Sequence, residues 1–456
     1  MLPSTTDEDI RTSFWPRVRE FAVPAPMIET ATARRLAGDW AGACAAAGFD
    51  VDLNLRAVAR GHGRDLASRV RSDLRALAPD LLRWHMPRVA PDGLLRPGVT
   101  LTLARYGTAE GPVHLVARTA PAWADAGQRV SLALWSRSTA DAVGHPHPRP
   151  NRRFRLDLHR HLWDASRAGE LRGRSGADGP PPRSYDQQCP LFPTELAVPS
   201  ACAVDRWAAE ARTLLAAEGR SGGRLSVRWG GRHRLVLELA ADEDLLRPVP
   251  RPSAGSVSAL PVLPDAATWV PPDLRLLHAG AIDAGRLHPL VAAALAPGRT
   301  ATGPPRISTG SGRPRLVECR GARHRIGLVD GVLAALDHDP DEIRREELLV
   351  ALTGTPLPCL QAIDEAHRRP HCLDGVRERL VHGDTAGALA VVEGLLGPEA
   401  LLRAGPLRDA LEAAALRRVT YGLFRAGLTG PGPTWFRPRP TVRDSRNRRA
   451  HPRHAH

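Results

Sequence analysis

The apolar residues of this chain change their spacing between residues 87 and 99, and that change limits the fold to one that joins helices to a sheet. Upstream, over 28–87, Leu66, Val70, Leu74, Leu77 and Leu81 recur every three to four residues, which places them on one face of a helix, and Pro79 should kink or split the last helix. Downstream the spacing is two. Val99, Leu101 and Leu103 alternate with Thr100 and Thr102, Val130, Leu132 and Leu134 follow, and Phe154, Leu156 and Leu158 alternate with Arg155, Asp157 and His159. With residues 113–118 these predict about four strands, antiparallel because the connections are too short for crossover helices.

Residues 170–200, rich in Gly, Pro and Arg, read as a disordered loop. Ser200 is placed to cap a helix whose stripe is Val204, Trp207, Ala208, Ala211, Leu214 and Leu215. Residues 223–240 read as a hairpin. A three-residue loop, Gly230-Gly231-Arg232, pairs Leu225 with Leu237 and Val227 with Leu235, whereas a two-residue loop sets Val227 and Trp229 against arginines, so the longer loop is preferred. Pro-rich 245–275 and Gly/Ser/Pro-rich 297–314 bracket one helix, 281–296; a meander at 315–337 and helices to about 427 come next.

The predicted class is α+β: N-terminal helices plus an antiparallel sheet, then a C-terminal unit of a three-stranded meander and a helical bundle. At 456 residues, 43% of them apolar, the chain exceeds what one core covers. The expected division is an extension at 1–27, helices and sheet at 28–245, a linker with one helix at 246–314, meander and bundle at 315–430, and a disordered basic tail at 431–456.

The formal charge is +14 and its basic part is entirely arginine, since the sequence contains no lysine. Residues 261–436 hold 20 Arg and 20 acids, while the tail 437–456 holds 7 Arg and one acid, so the densest basicity lies outside the expected folded units. Lysine's absence excludes a conventional P-loop, a protein kinase and Schiff-base or PLP chemistry. No cofactor is expected. The N-terminus is acidic and lacks an export signal, no stretch is long and apolar enough to span a bilayer, and six scattered cysteines without a C-x-x-C pair suit free thiols, so the cytoplasm is the expected location.

One segment occurs twice. Gly38-Asp39-Trp40-Ala41-Gly42-Ala43-Cys44-Ala45 matches Gly383-Asp384-Thr385-Ala386-Gly387-Ala388-Leu389-Ala390 at six of eight positions. The pattern predicts a helical hairpin in which Gly ends one helix, Asp caps the next and small residues let the two approach. It resembles the joint of tetratricopeptide-like helix pairs, over these two segments alone.

Several apparent motifs fail on context. Gly219-Arg220-Ser221-Gly222-Gly223 spells G-x-S-x-G, but here a helix enters and a strand leaves, the reverse of a nucleophile elbow. Gly61-His62-Gly63 has no strand leading into it. Cys359, His367, His371 and Cys372 carry zinc-binding atoms, but Pro370 interrupts the histidine pair, and His145, His147, His159 and His161 sit in a Pro-rich loop and at a strand end; no metal is expected at either group.

The sharpest constellation is in the meander. A type I′ turn at Asp330-Gly331 sets Ile326 opposite Ala335 and His324 opposite Asp337, and a II′ turn at Gly321-Ala322 sets Cys319 opposite His324. The row Cys319, His324, Asp337 would supply a thiol nucleophile, a base and its orienter, the parts of a thiol hydrolase or transferase. A second set, Arg224, Arg228 and Arg234 on the hairpin with Arg437, Arg439, Arg443, Arg446, Arg448, Arg449 and Arg453 in the tail, would give salt-dependent binding to nucleic acid or another phosphate. With no strong catalytic motif and two helical hairpins, the leading expectation is a non-enzymatic interaction or regulatory protein with an unidentified protein partner; the phosphate-binding and thiol readings are the alternatives.

Overall fold

A computed structural model of the chain describes residues 14–124, 128–137, 145, 147–179, 198–199, 201–229, 233–241, 245–249, 259–298, 315–319, 321–329, 332–339, 341–345, 348, 357–361, 373–396 and 405–428. The fold is mixed α+β with four small sheets. Helices α1 (Trp15–Phe21), α2 (Ala25–Leu36) and α3 (Trp40–Ala46) lead into strand β1 (Phe49–Val51), and α4 (Leu55–His62), α5 (Arg64–Ala76) and α6 (Pro79–His85) follow. Residues 14–27 of the expected extension thus form α1 and the start of α2, and Phe14, Val18, Ala22 and Val23 are buried in the largest core. Pro79 splits the helix: Leu77 turns extended (ψ 124°) and Pro79 opens α6, where its missing N–H costs no helical bond.

After the two-residue strands β2 (Arg88–Val89) and β3 (Leu94–Leu95) come β4 (Thr100–Tyr106), β5 (Val113–Thr119) and β6 (Val130–Trp135). These last three pair antiparallel as expected, but the fourth strand is β1, parallel to β6 with Phe49 beside Val130, so the sheet is mixed in the order β1-β6-β5-β4. Three residues between helices are too few to display an alternation. The strand expected at 154–158 is corrected to successive 3₁₀ turns, Leu156–Leu158, Arg160–Leu162 and Ala165–Glu170, of which the first two and their flanks bury Phe154, Leu156 and Trp163. Tight turns with three residues per turn satisfy that pattern by burying Phe154 and Leu156 while Arg155 reaches Asp157. Helix α7 (Leu171–Ser175) occupies the start of the expected 170–200 loop, whose residues 180–197 and 200 lie outside the described residues.

Helix α8 (Trp207–Ala217) starts after a 3₁₀ turn at Val204–Arg206, with Arg206 and not Ser200 at its N-cap. It packs on β7 (Gly223–Trp229), β8 (His233–Leu239) and β9 (Leu246–Pro248) to form a second core around Trp207 and Trp229. The hairpin register is the expected one, Leu225 with Leu237 and Val227 with Leu235. Helices α9 (Asp265–Thr268), α10 (Pro272–His278) and α11 (Pro289–Leu295) follow. The single helix expected at 281–296 is a 3₁₀ turn plus α11, because His288 caps α11 by accepting from Leu290 N–H. Leu274, Leu276, Ile282, Leu287, Val291, Ala294 and Leu295 join the largest core, so this stretch contributes to packing and does not merely link.

Strands β10 (Arg315–Cys319), β11 (Ala322–Val329) and β12 (Val332–Ala335) form the expected meander. Helices α12 (Leu373–His382), α13 (Thr385–Leu396) and α14 (Pro406–Arg425) form the bundle around Val376, Leu380, Ala388, Val392, Leu407 and Ala414. The duplicated segment makes the same joint twice. Gly38 and Gly383 are left-handed (φ 77° and 88°), Asp39 Oδ1 accepts from Gly42 N–H at 2.8 Å, and Asp384 Oδ1 accepts from Gly387 N–H at 2.9 Å. An arginine five residues upstream, Arg34 or Arg379, donates to the other carboxylate oxygen, and a Cβ on Gly42 or Gly387 would meet that oxygen at 2.1 or 2.2 Å. The second glycine of the echo is therefore required by the cap itself.

Candidate functional site

The meander register differs from the expected one at its first turn. Cys319 pairs with Ala322 and Val317 with His324, because Gly321, left-handed at φ 79°, sits in the second position of the turn and not the first. The displacement is two residues, so Cys319 and His324 still share a face, as diagonal neighbours. Asp337 does not complete the row: its carboxylate accepts from the Arg325 backbone N–H at 2.6 Å and from the Arg325 guanidinium at 2.7 Å. That pairing holds the Asp337 carboxyl down at about 2. Cys319 itself is fully buried, which denies a substrate access to its sulfur.

The meander brings a different set together. Cys319 Sγ, Cys359 Sγ and a nitrogen of His338 lie within 4.8 Å of one another. Cys319 ends β10, His338 follows the turn after β12, and Cys359 sits in the helical turn 358–361. The imidazoles of His324 and His338 stack at 4.1 Å, nearly parallel, and His338 Nδ1 lies 3.5 Å from Glu342 Oε2. Burial first, then the neighbouring Cys319 sulfur, pushes the Cys359 thiol up to about 11. Spacing along the chain groups Cys359 with His367, His371 and Cys372, which lie outside the described residues, and gives no sign of His338 beside Asp337. The residues meet only because the strand register and the 358–361 turn fold back on each other.

The histidines at 145–161 are used structurally. His145 Nε2 contacts the Thr119 carbonyl at 2.9 Å while its Nδ1 accepts from His147 N–H. His159 and His161 are buried edge to face, and desolvation holds His161 down at about 2. A polar cleft of about 390 Å³ between α5 and β4 is lined by Asp73, Tyr106 and Arg160, but these groups satisfy one another, Tyr106 donating to Asp73 at 2.6 Å and Arg160 to Asp73 at 2.7 Å.

The arginine set separates into parts. Arg224 faces Glu238, while Arg228 and Arg234 stand directly opposite each other at the turn end of β7 and β8. The middle of that face, Ser226 and Val236, is buried, so the expected solvated arginine face is broken into two ends, exposed Arg224 at one and half-buried Arg228 and Arg234 at the other. Arg437, Arg439, Arg443, Arg446, Arg448, Arg449 and Arg453 lie outside the described residues.

The last helix has two unlike faces. Leu407, Ala414 and Tyr421 are buried against the molecule, Tyr421 donates to Asp50, Arg425 pairs with Asp52, and Phe424 packs edge-on against Trp123. The opposite face exposes Leu416 (67%), Val419 (58%) and Leu423 (38%), continued by Ala426. Their spacing of three, four and three residues is that of a helix-packing seam. No described helix is long and apolar enough to cross a membrane. No family model, curated protein or solved structure matches the chain.

Proposed function

We propose that this chain is a non-enzymatic interaction or regulatory protein that receives a partner's amphipathic helix on the outer face of α14. The exposed seam Leu416, Val419, Leu423 and Ala426 carries this reading, because a solvent-facing apolar row at coiled-coil spacing gains stability only when another apolar face covers it. Exposed Arg418 stands next to Val419 of the seam, which favours a partner helix with an acid beside its apolar stripe, whereas Arg408 is paired with Glu412. A synthetic helix with leucines at the same spacing and flanking glutamates is the probe. It should bind the full chain, and Leu416→Glu combined with Leu423→Glu should weaken binding at least about tenfold, since each buried leucine contributes roughly 1.5–3 kcal/mol. Equal binding by the variant removes the proposal, as does self-association of the wild type that this variant abolishes, since the seam would then belong to a second copy.

A second reading rests on Arg228 and Arg234. Two like charges directly opposite on a sheet repel, and a phosphate between them would relieve that repulsion. Single-stranded DNA binding should then weaken steeply with salt and fall further in Arg228→Gln/Arg234→Gln; no change in the variant discards this reading.

A further inference from the structure

We infer that Cys319, His338 and Cys359 form a site for a thiophilic divalent cation, zinc above all, that staples the meander to the chain that follows it. Two thiolates and an imidazole are the donor set zinc takes, and the softness of the sulfurs disfavours magnesium or calcium. The atoms are already gathered, all three within 4.8 Å of one another, so binding requires small adjustments and not refolding. Both cysteines are completely buried, and the His338 side chain is 3% exposed.

An independent observation also points to a ligand. His338 Nε2 is buried without a hydrogen-bond partner, and so is Nδ1 of the stacked His324. Buried imidazole nitrogens normally find partners, since leaving one unsatisfied costs about 1–3 kcal/mol. His338 Nδ1 faces the Glu342 carboxylate at 3.5 Å, the outer-shell arrangement that fixes the tautomer of a metal-bound histidine and leaves Nε2 as the donor. His324, stacked on His338 and a diagonal neighbour of Cys319, is the described histidine nearest to supplying a fourth ligand.

Among the described residues the cluster around the site comprises Cys319, Ala335, Leu357 and Cys359, with Val317, Ile343 and Leu360 partly buried against it. A metal held there would tie the end of β10 to the turn after β12 and to the helical turn 358–361, so that its binding free energy would add to the stability of this fold. Binding M²⁺ by two thiols and a neutral imidazole releases two protons to the buffer and forms two metal–sulfur bonds and one metal–nitrogen bond, with no change of oxidation state. Affinity should therefore rise with pH.

The test uses the full chain, reduced and stripped of metal, titrated with Co²⁺ as a spectroscopic probe. The expected result is one equivalent bound, with thiolate-to-cobalt charge-transfer absorption and tetrahedral ligand-field bands, displaced by Zn²⁺. Cys319→Ser, Cys359→Ser and His338→Ala should each weaken binding by at least the roughly 10–100-fold that losing an outer-shell partner costs, and Glu342→Gln by about that amount. A wild-type spectrum without thiolate charge transfer overturns the proposal whether or not the variants fold. So does mass mapping that finds a Cys319–Cys359 disulfide in protein purified without reductant, together with no metal uptake after reduction.

Discussion

Replacing Asp273 with Ala is expected to destabilise the largest core by about 3–5 kcal/mol, the cost of stranding one member of a buried ion pair. Arg19 on α1 and Asp273 on α10 are 254 residues apart, with side chains 1% and 0% exposed. Arg19 donates through Nε at 2.7 Å and Nη2 at 2.8 Å, one bond to each carboxylate oxygen, and Trp84 Nε1 adds a third bond at 3.1 Å. The guanidinium also lies 4.3 Å over the Trp84 ring and donates to the Trp84 carbonyl. Without Asp273 the cation stays walled in by aromatic rings, with no counter-charge and no water. Joint replacement, Arg19→Met with Asp273→Leu, should recover most of the loss, because it removes the desolvation cost along with the attraction. Urea unfolding monitored by tryptophan fluorescence measures both; a single-variant loss below about 1 kcal/mol would contradict the account.

That ion pair also explains why part of the fold was hidden in the sequence. Residues 245–275 look like a linker by composition, but what binds 272–295 to the N-terminal helices is a few specific contacts, Arg19–Asp273 and His288–Asp80 at 2.9 Å, together with short apolar runs. No local periodicity records a partner more than 200 residues away. Where one buried face fixed the register, the sequence was legible: Leu225, Val227, Leu235 and Leu237 admit one inward arrangement, and Ile326 pairs with Ala335 as expected, although the turn residues Asp330 and Gly331 lie outside the described residues. Gly321 suited two turn types with equal economy, and the wrong one moved Cys319 from Ala322 to His324. The site was legible to that degree. Cys319 and His324, read as directly opposite, are diagonal neighbours on one face, whereas His338 and Cys359 meet Cys319 through tertiary folding that spacing does not encode.

Replacing Arg83 should loosen the attachment of the C-terminal bundle even when the substitute is lysine. Arg83 is 2% exposed and its guanidinium serves three carbonyls, Ala22 at 3.0 Å, Gln128 at 2.6 Å and His382 at 2.9 Å, thereby joining the end of α1, the approach to β6 and the last residue of α12. A planar fork reaches three directions at once, while an ammonium presents its donors from one point on a different stem. Arg83→Lys therefore removes at least one of these bonds, at about 1–3 kcal/mol where the carbonyl stays buried, and Arg83→Met removes all three. The His382 carbonyl closes α12, so its loss should appear as faster amide exchange across α12 and α13 before the largest core responds. Uniform exchange changes over the whole chain, or none in α12, would show that this contact does not seat the bundle. The same contact has a functional consequence, because Tyr421–Asp50 and Arg425–Asp52 then remain as side-chain ties holding α14 against β1 and the residue that follows it. A bundle that has lost the His382 contact should present the Leu416–Leu423 seam less rigidly, so Arg83→Lys should also weaken capture of the probe helix although no residue of the seam has changed.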